Sequence, residues 1–144
     1  MDHAEHALRC AFKGRASRQR LVIAAAADVM TGTFAAEDLL TAVRASAPRT
    51  GLATIYRTLS AMAETGFVEQ VGTRSGAAIY ARCRSHGHHH HIVCTSCGHV
   101  AEAACDVSAA IERASRDSGF TVTGHEFNLF GLCADCVDRK GKAS

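Results

Sequence analysis

Four of the seven cysteines stand in two Cys-x-x-Cys pairs, Cys94 with Cys97 and Cys133 with Cys136, and 35 residues separate the pairs. Each pair can form a tight knuckle that offers two thiolates, and two knuckles complete a tetrahedral zinc site. Because four protein ligands leave no coordination position for water, we predict that this zinc is structural. Buried or redox-active thiols are the alternative, but two pairs favour a metal.

Four consecutive histidines, His88 to His91, precede the first pair. If this segment is extended, His89 and His91 point to one side and His88 and His90 to the other. One short strand could therefore serve two metal sites on opposite faces.

Other donors lie close to the histidines along the chain. Cys83 precedes them, and Glu102 follows the first knuckle on a strand that should run beside theirs. A Cys, two His and a carboxylate form a suitable tetrahedral zinc set, with Glu69 or Glu102 as the carboxylate. His125 is a candidate for the opposite face. We predict at least one exchangeable, regulatory site in addition to the structural zinc.

The elements that position these residues begin with a helical first half. Apolar spacing predicts helices at about 17–30, 35–46 and 51–65, the first capped by Ser17 and the third by Thr50.

After Gly66 the hydrophobic period changes to two. Strands at 67–71 and 77–81 flank a turn at 72–76, which predicts a β-hairpin. Helix, turn, helix and hairpin outline a winged helix-turn-helix domain.

The polar segment at 83–88 divides the chain into domains at 1–82 and 89–144, with 83–88 as a hinge. A second domain this short has a marginal core, and a metal can stabilise it. Its predicted elements are strands at 91–93, 99–102 and 120–132 and a helix at 107–118.

Composition is that of an ordinary globular protein, with 47% hydrophobic residues and a net charge of +2. The chain has no apolar run long enough to span a bilayer and no signal-peptide pattern, so we expect a soluble cytoplasmic protein. One Lys and three Arg without an acid occupy 13–20, which suits phosphate contact or a solvated helix start. Cys10 and Cys105 are interpreted as small buried hydrophobic residues.

Six motifs follow one another along nearly the whole chain: GRASRQR at 14–20, AAEDLL at 35–40, LATIYRTL at 52–59, ETGFV at 64–68, HHHIVCTSCG at 89–98 and GLCADC at 131–136. In this order they resemble the ferric uptake regulator family of metal-dependent repressors. The zinc uptake regulator branch is most similar. Phe34 stands where iron- and peroxide-sensing members usually have a His ligand, and the soft thiolate of Cys83 favours Zn²⁺ over Fe²⁺ or Mn²⁺.

The resemblance implies an α+β fold, with an N-terminal winged helix-turn-helix DNA-binding domain and a small C-terminal α/β dimerisation domain that carries the Cys₄ zinc. It places Cys83, His89 and His91 at sensing-site positions. We favour Glu102 as the remaining ligand and keep Glu69 as second choice.

A second regulatory site, present in many members, is matched by His88, His90 and His125. Its expected Glu position reads about Ala109 here, with Glu112 nearby.

The implied function is zinc-responsive repression of zinc-uptake genes by a metal-loaded homodimer on AT-rich palindromic DNA, without enzymatic activity. The residues expected to contact DNA are Arg15, Arg20, Thr54, Tyr56 and Arg57. One alternative is a family member that senses iron, nickel, manganese or peroxide. A zinc-storage protein that does not bind DNA is another, and a metal-dependent hydrolase lacks the open coordination position and general base that it needs.

Overall fold

The computed structural model describes residues 8–85 and 87–142. His86 of the predicted hinge and the two chain ends of the predicted domains lie outside the described residues. The helices are α1 (Arg18–Asp28), α2 (Ala36–Val43), α3 (Leu52–Ala63), α4 (Ser108–Ser118) and α5 (Ala134–Gly141). The strands are β1 (Phe34–Ala35), β2 (Val68–Arg74), β3 (Ala77–Arg82), β4 (His89–Cys94), β5 (Val100–Ala104) and β6 (Asn128–Gly131).

Helix capping follows the prediction at α1 and departs from it at α3. The Ser17 hydroxyl accepts a hydrogen bond from the Arg20 N–H, which satisfies a free donor of the first turn of α1. At α3 the cap residue is Gly51, so the prediction of Thr50 as the cap was wrong. The Thr50 hydroxyl instead accepts from Gln19 Nε2 at 3.1 Å and links the start of α3 to α1.

The N-terminal core lies between the first three helices. Its fully buried side chains include Ile23 of α1, Leu39 of α2, and Ile55, Leu59 and Met62 of α3. Burial of each such side chain stabilises the fold by about 1.5–3 kcal/mol.

Beyond α3 the chain turns through Gly66, whose φ of 71° is the left-handed conformation that glycine adopts without strain. Strands β2 and β3 then form an antiparallel hairpin, and β1 pairs with β3, which gives the strand order β1-β3-β2. The prediction of a winged helix-turn-helix is confirmed.

The C-terminal sheet has the order β5-β4-β6, with the histidine strand β4 at its centre. Strand β5 pairs antiparallel to β4, with His91 opposite Glu102. Strand β6 pairs parallel to β4 through four residues. The predicted long strand at 120–132 was wrong in extent, because residues 120–127 pair with no strand within the described chain.

The two regions meet along β4 and the first knuckle. Val71, Ile79 and Ala81 of the hairpin form a small buried cluster with Val93 of β4. The Thr33 N–H donates to the Gly98 carbonyl at 2.8 Å, so the loop after α1 lies against the knuckle. Within the described residues, none of the helices has the length and apolar character needed to cross a membrane.

Candidate metal centres and nucleic-acid surface

Metal-donor side chains converge in the described part of the chain at three places, and at each the donor atoms lie within 4.8 Å of one another. The Cys₄ group consists of Cys94, Cys97, Cys133 and Cys136. The hinge group consists of Glu69, Cys83, His89 and His91. The histidine group consists of His88, His90, Cys105 and His125.

Two turns bring the cysteines of the Cys₄ group together. In the first knuckle the Gly98 N–H donates to the Cys94 carbonyl at 2.9 Å, and Cys133 immediately precedes α5, so that Cys136 lies in its first turn. The sulfur atoms of Cys97 and Cys133 are 3.7 Å apart. Four sulfurs at about 2.3 Å from a tetrahedral zinc are about 3.8 Å from one another, so the group fits zinc without rearrangement.

Hydrogen bonds favour the thiolate form at two of these cysteines. The backbone N–H of Cys133 lies 3.4 Å from Cys94 Sγ, and this bond first, with others from the knuckle, lowers the pKa of the Cys94 thiol to about 5. Hydrogen bonds from Ser96, and then from Cys133 and Arg139, lower the pKa of Cys136. The thiolate is the form that binds zinc.

The hinge group draws its members from both regions of the chain. Glu69 belongs to β2 and Cys83 directly follows β3, whereas His89 and His91 lie on β4. Cys83 is positioned by its N–H, which donates to the Phe67 carbonyl at 3.2 Å. An ion bound here would contact both the wing hairpin and the C-terminal sheet.

Two buried imidazole nitrogens that make no hydrogen bond indicate that the hinge group fits zinc. His89 Nε2 and His91 Nδ1 are buried and make no hydrogen bond, although Glu102 Oε1 lies 3.7 Å from the first and Glu69 Oε2 lies 3.4 Å from the second. An unpaired buried polar atom costs about 1–3 kcal/mol, and a metal removes that cost. His89 Nδ1 lies 2.9 Å from the Gly87 carbonyl and can donate to it, which leaves the Nε2 lone pair free. With Cys83 Sγ 3.8 Å from His91 Nε2 and Glu69 Oε2 3.4 Å from His91 Nδ1, the donors suit zinc.

Burial favours the uncharged forms of the two buried members of the hinge group, Cys83 and His91. Burial first, and then the negative charges of Glu69 and Glu102, raises the pKa of Cys83 to about 12. Burial lowers the pKa of His91, which favours the neutral imidazole that binds metals. A metal entering this group displaces the Cys83 proton.

Glu102 lies at the edge of the hinge group. Its position opposite His91 puts it on the same face as the two histidines of the hinge group, as the sequence suggested. Its carboxylate, however, accepts hydrogen bonds from the Arg84 N–H at 2.8 Å and from the N–H and hydroxyl of Ser85. Burial acts to raise the pKa of Glu102, but these bonds outweigh it and lower the pKa to about 2. The structure thus brings Glu69, the second choice, into the four-residue group.

The histidine group lies on the other face of β4. His88 Nε2 and His90 Nε2 lie 2.8 and 3.1 Å from His125 Nε2, and Cys105 Sγ lies 3.0 Å from the same atom. Glu112, expected from the sequence, is not a member, because it lies on the exposed surface of α4.

The interpretation of two other cysteines was wrong. Cys105 is partly exposed and contacts His125, and Cys10 is exposed. Cys105 was missed because no cysteine spacing marks it, and only the pairing of β4 with β5 shows where it lies.

Basic and aromatic side chains lie at two places in the N-terminal region, on α3 and in the segment before α1. Tyr56 and Arg57 are exposed on α3, opposite the buried Ile55 and Leu59. Arg57 Nη2 donates to the Thr54 hydroxyl at 3.0 Å. In the preceding basic segment, Arg15 is exposed, and the Arg20 guanidinium lies 5.8 Å from the centre of the Phe12 ring.

The winged helix is typical of DNA-binding regulators, and the converging thiols and imidazoles of the small sheet are typical of metal sites. Together they indicate the class of metal-dependent regulators. The model of the ferric uptake regulator family matches residues 13–130, and the chain belongs to this family. The resemblance noted from the sequence motifs is confirmed.

The chain is similar in sequence to proteins that regulate zinc uptake and iron uptake. The zinc uptake regulation protein of Mycobacterium tuberculosis (strain ATCC 25618 / H37Rv) is 37% identical over 123 residues, which cover 85% of this chain and 94% of that protein. The ferric uptake regulation protein of Bordetella parapertussis is 32% identical over 110 residues, which cover 76% and 77%.

Among solved structures, a zinc uptake regulator complexed with zinc and DNA matches with a TM-score of 0.79 and 26% identity, over 98% of this chain and 99% of that chain. The Vibrio cholerae ferric uptake regulator matches with a TM-score of 0.60 and 27% identity, over 90% and 98%. The α+β fold is thereby confirmed over the described residues.

Proposed function

We propose that this chain is a zinc-responsive transcriptional repressor that acts in the cytoplasm, binds operator DNA as a metal-loaded homodimer and controls zinc-uptake genes. Its similarity to the M. tuberculosis zinc uptake regulation protein and to the zinc uptake regulator complexed with zinc and DNA supports this function. The observation that carries it is the composition of the hinge group, with donors from both regions of the chain.

Zinc is the metal that this donor set favours. The hinge group combines a thiolate and imidazoles, and such soft and intermediate donors favour zinc over Fe²⁺ or Mn²⁺. Zinc would hold Glu69 and Cys83 of the wing against His89 and His91 of β4 and so fix the winged helix relative to the C-terminal sheet. Without it, DNA binding carries the additional cost of ordering the two regions.

The Cys₄ group would hold the structural zinc, since its sulfurs already have tetrahedral spacing. The histidine group, with His88, His90 and His125, would hold a second exchangeable zinc.

The homodimer is supported by apolar side chains exposed in the C-terminal region. Phe120, Leu129 and Phe130 are 74%, 47% and 57% exposed, with Leu132 and Val137 also accessible. Large apolar side chains left exposed in a small region are typical of an interaction surface. We infer that a second copy of the chain covers them and places two winged helices on the halves of a palindrome.

The DNA contact would be made by α3 and the basic segment before α1. Tyr56 can pack on a thymine methyl group, and Arg57 can reach guanine or phosphate in the major groove. Arg15 and Arg20 would contact phosphate or the minor groove, and Thr54 positions Arg57 through their hydrogen bond. We propose AT-rich palindromes as the operators.

The test is DNA affinity as a function of free zinc at one fixed salt concentration, for the full chain, for Cys83→Ser and for the matched control Cys10→Ser. We expect zinc to tighten binding of the full chain and of Cys10→Ser by about 5–150-fold, the usual range of allosteric coupling. Cys83→Ser should keep the weak, zinc-independent affinity and remain a folded dimer. Full zinc dependence in Cys83→Ser would refute the assignment of the hinge group as the sensor.

The same assay separates the alternatives. If Fe²⁺ or Mn²⁺ tightens DNA binding at a lower free concentration than Zn²⁺, the chain senses another metal. If it binds no DNA at low salt at any zinc level, zinc storage is the better explanation.

A further inference from the structure

The histidine group has more close contacts than its atoms can use as hydrogen bonds. His125 Nε2 lies 2.8 Å from His88 Nε2, 3.1 Å from His90 Nε2 and 3.0 Å from Cys105 Sγ. A ring nitrogen carries either one proton or one lone pair in its plane, so it makes one good hydrogen bond at a time. Two of these three contacts therefore lack a hydrogen bond through His125.

The proton on Nδ1 of His90 determines that its other ring nitrogen, Nε2, offers a lone pair to the histidine group. His90 Nδ1 lies 3.2 Å from the Phe127 carbonyl, which can only accept, so this nitrogen carries the proton. The Nε2 atom of His90 then presents its lone pair toward His125 and Cys105. His90 is itself only 3% exposed, and water has little access to that lone pair.

Strand pairing explains why Cys105 belongs to this face. In the β4–β5 ladder His89 lies opposite Ala104 and His90 opposite Ala103. One further step along the same register brings residue 105 opposite His88. Residues opposite each other in an antiparallel pair share a face of the sheet, so Cys105 falls on the side of His88 and His90.

We propose that Cys105 is the fourth ligand of a His₃Cys zinc site formed with His88, His90 and His125. In a tetrahedral zinc site the imidazole nitrogens are about 3.3 Å apart, so the observed contacts need only a small expansion around the ion. The proposal deepens the proposed function, because it supplies a ligand for the second exchangeable zinc, where Glu112 is not available.

A thiolate ligand at residue 105 changes which metal ion the site prefers. A carboxylate with three imidazoles accepts harder divalent ions, whereas a thiolate shifts the preference toward zinc and cobalt. Both exchangeable groups of this chain would then combine imidazole and thiolate donors. The second site would bind zinc for the same chemical reason as the hinge group.

The test is a Co²⁺ titration of the full chain from which exchangeable metal has been removed while the one zinc of the Cys₄ group is retained. Cobalt bound to a thiolate gives a sulfur-to-metal charge-transfer band that cobalt bound only to nitrogen and oxygen lacks. Cys83→Ser removes the thiolate of the hinge group, so any remaining band arises elsewhere. We expect Cys83→Ser to keep a charge-transfer band and Cys83→Ser/Cys105→Ser to lose it.

Two matched variants exclude other causes. Cys83→Ser/Cys10→Ser should keep the band, because Cys10 is exposed and lies outside all three groups. Cys83→Ser/Cys105→Asp keeps a ligand at residue 105 but no sulfur, so it should bind tetrahedral Co²⁺ without the band even if the serine variant folds poorly. A band of equal strength with and without Cys105, or no band in Cys83→Ser, would overturn the proposal.

The titration contains no DNA, so its outcome is independent of the proposed function. A band that depends on Cys105 in a protein whose DNA affinity ignores zinc would sustain the site and refute the repressor. Zinc-dependent DNA binding without such a band would do the reverse.

Discussion

The N-terminal and C-terminal regions bury different kinds of side chain. The core of the first is hydrocarbon, supplied by three helices and the hairpin. In residues 87–142 the buried residues are His90, His91, Val93, Cys94 and Cys136. All of these except Val93 belong to candidate metal groups.

The two kinds of core stabilise a small fold in different ways. A hydrocarbon core works at any metal concentration, since apolar burial needs no ligand. A core of thiols and imidazoles is stable only when its polar atoms are satisfied, and a metal does this. Helix α4 buries none of its residues in the single chain, which agrees with a region that depends on metal and a partner.

The largest effect should come from the Cys₄ group. Cys94→Ser removes a buried ligand of a structural zinc, whose binding contributes about 10–16 kcal/mol to folding in small zinc domains. We expect this variant to lose one tightly held zinc per chain and the folded, dimeric C-terminal region. Zinc analysis and analytical ultracentrifugation measure both.

The matched control for this loss is Cys10→Ser, because Cys10 is an exposed thiol outside the three groups. It should keep all metal and the dimer. A Cys94→Ser protein with its full zinc content and an intact dimer would show that the C-terminal region does not depend on this metal.

The N-terminal core should respond to substitution but not to metal. Leu59 is fully buried, so Leu59→Ala should lower the free energy of unfolding by about 2–5 kcal/mol. The loss should be the same with and without a chelator of the exchangeable zinc, as measured by urea unfolding. The control Ser60→Ala, on the exposed face of α3, should stay within about 0.5 kcal/mol of the parent chain. If chelation changed the Leu59→Ala loss by several kcal/mol, the two regions would unfold as one cooperative unit.

The sequence allowed the N-terminal fold to be predicted because local signals and burial agree there. The periodicity of α1 to α3, the Ser17 cap and the left-handed Gly66 all follow from short-range rules. The C-terminal region was harder, because residues 120–132 alternate like a strand but only Asn128–Gly131 find a partner strand. Strand length depends on what lies beside it, which a local pattern does not contain.

For the metal donors, too, local patterns could be predicted from the sequence and long-range contacts could not. The Cys₄ pairs and the alternation of the histidines are local patterns, and the structure brings those residues together as expected. The choice between Glu69 and Glu102 was not local. Glu102 lies on the correct face, but its carboxylate is occupied by Ser85 and Arg84, a contact between segments far apart in sequence.

Substitution of these two carboxylates tests which of them binds zinc in the hinge group. Glu69→Gln should lower zinc affinity at the hinge group by about tenfold or more, because it removes a charged ligand. Glu102→Gln should have a smaller effect on zinc, since that carboxylate mainly holds the backbone at residues 84 and 85. Competition against a chromophoric chelator measures both affinities. The reverse order would return the ligand role to Glu102.

The most local effect should arise where the two regions touch. A Cβ at Gly32 would lie 2.6 Å from the Gly98 carbonyl oxygen, and its φ is 72°. Gly66 has nearly the same φ, 71°, but open space around its Cβ position, so Gly66→Ala is the matched control. Both variants should lose about 1–3 kcal/mol from the left-handed backbone.

Only Gly32→Ala should also separate the loop after α1 from the knuckle. The bond from the Thr33 N–H to the Gly98 carbonyl reports this contact, and its amide should lose protection from hydrogen exchange in Gly32→Ala but not in Gly66→Ala. Equal protection of Thr33 in both variants would mean that the regions tolerate the extra methyl group by a local shift. In that case this backbone contact would not determine how the C-terminal region lies against the N-terminal one.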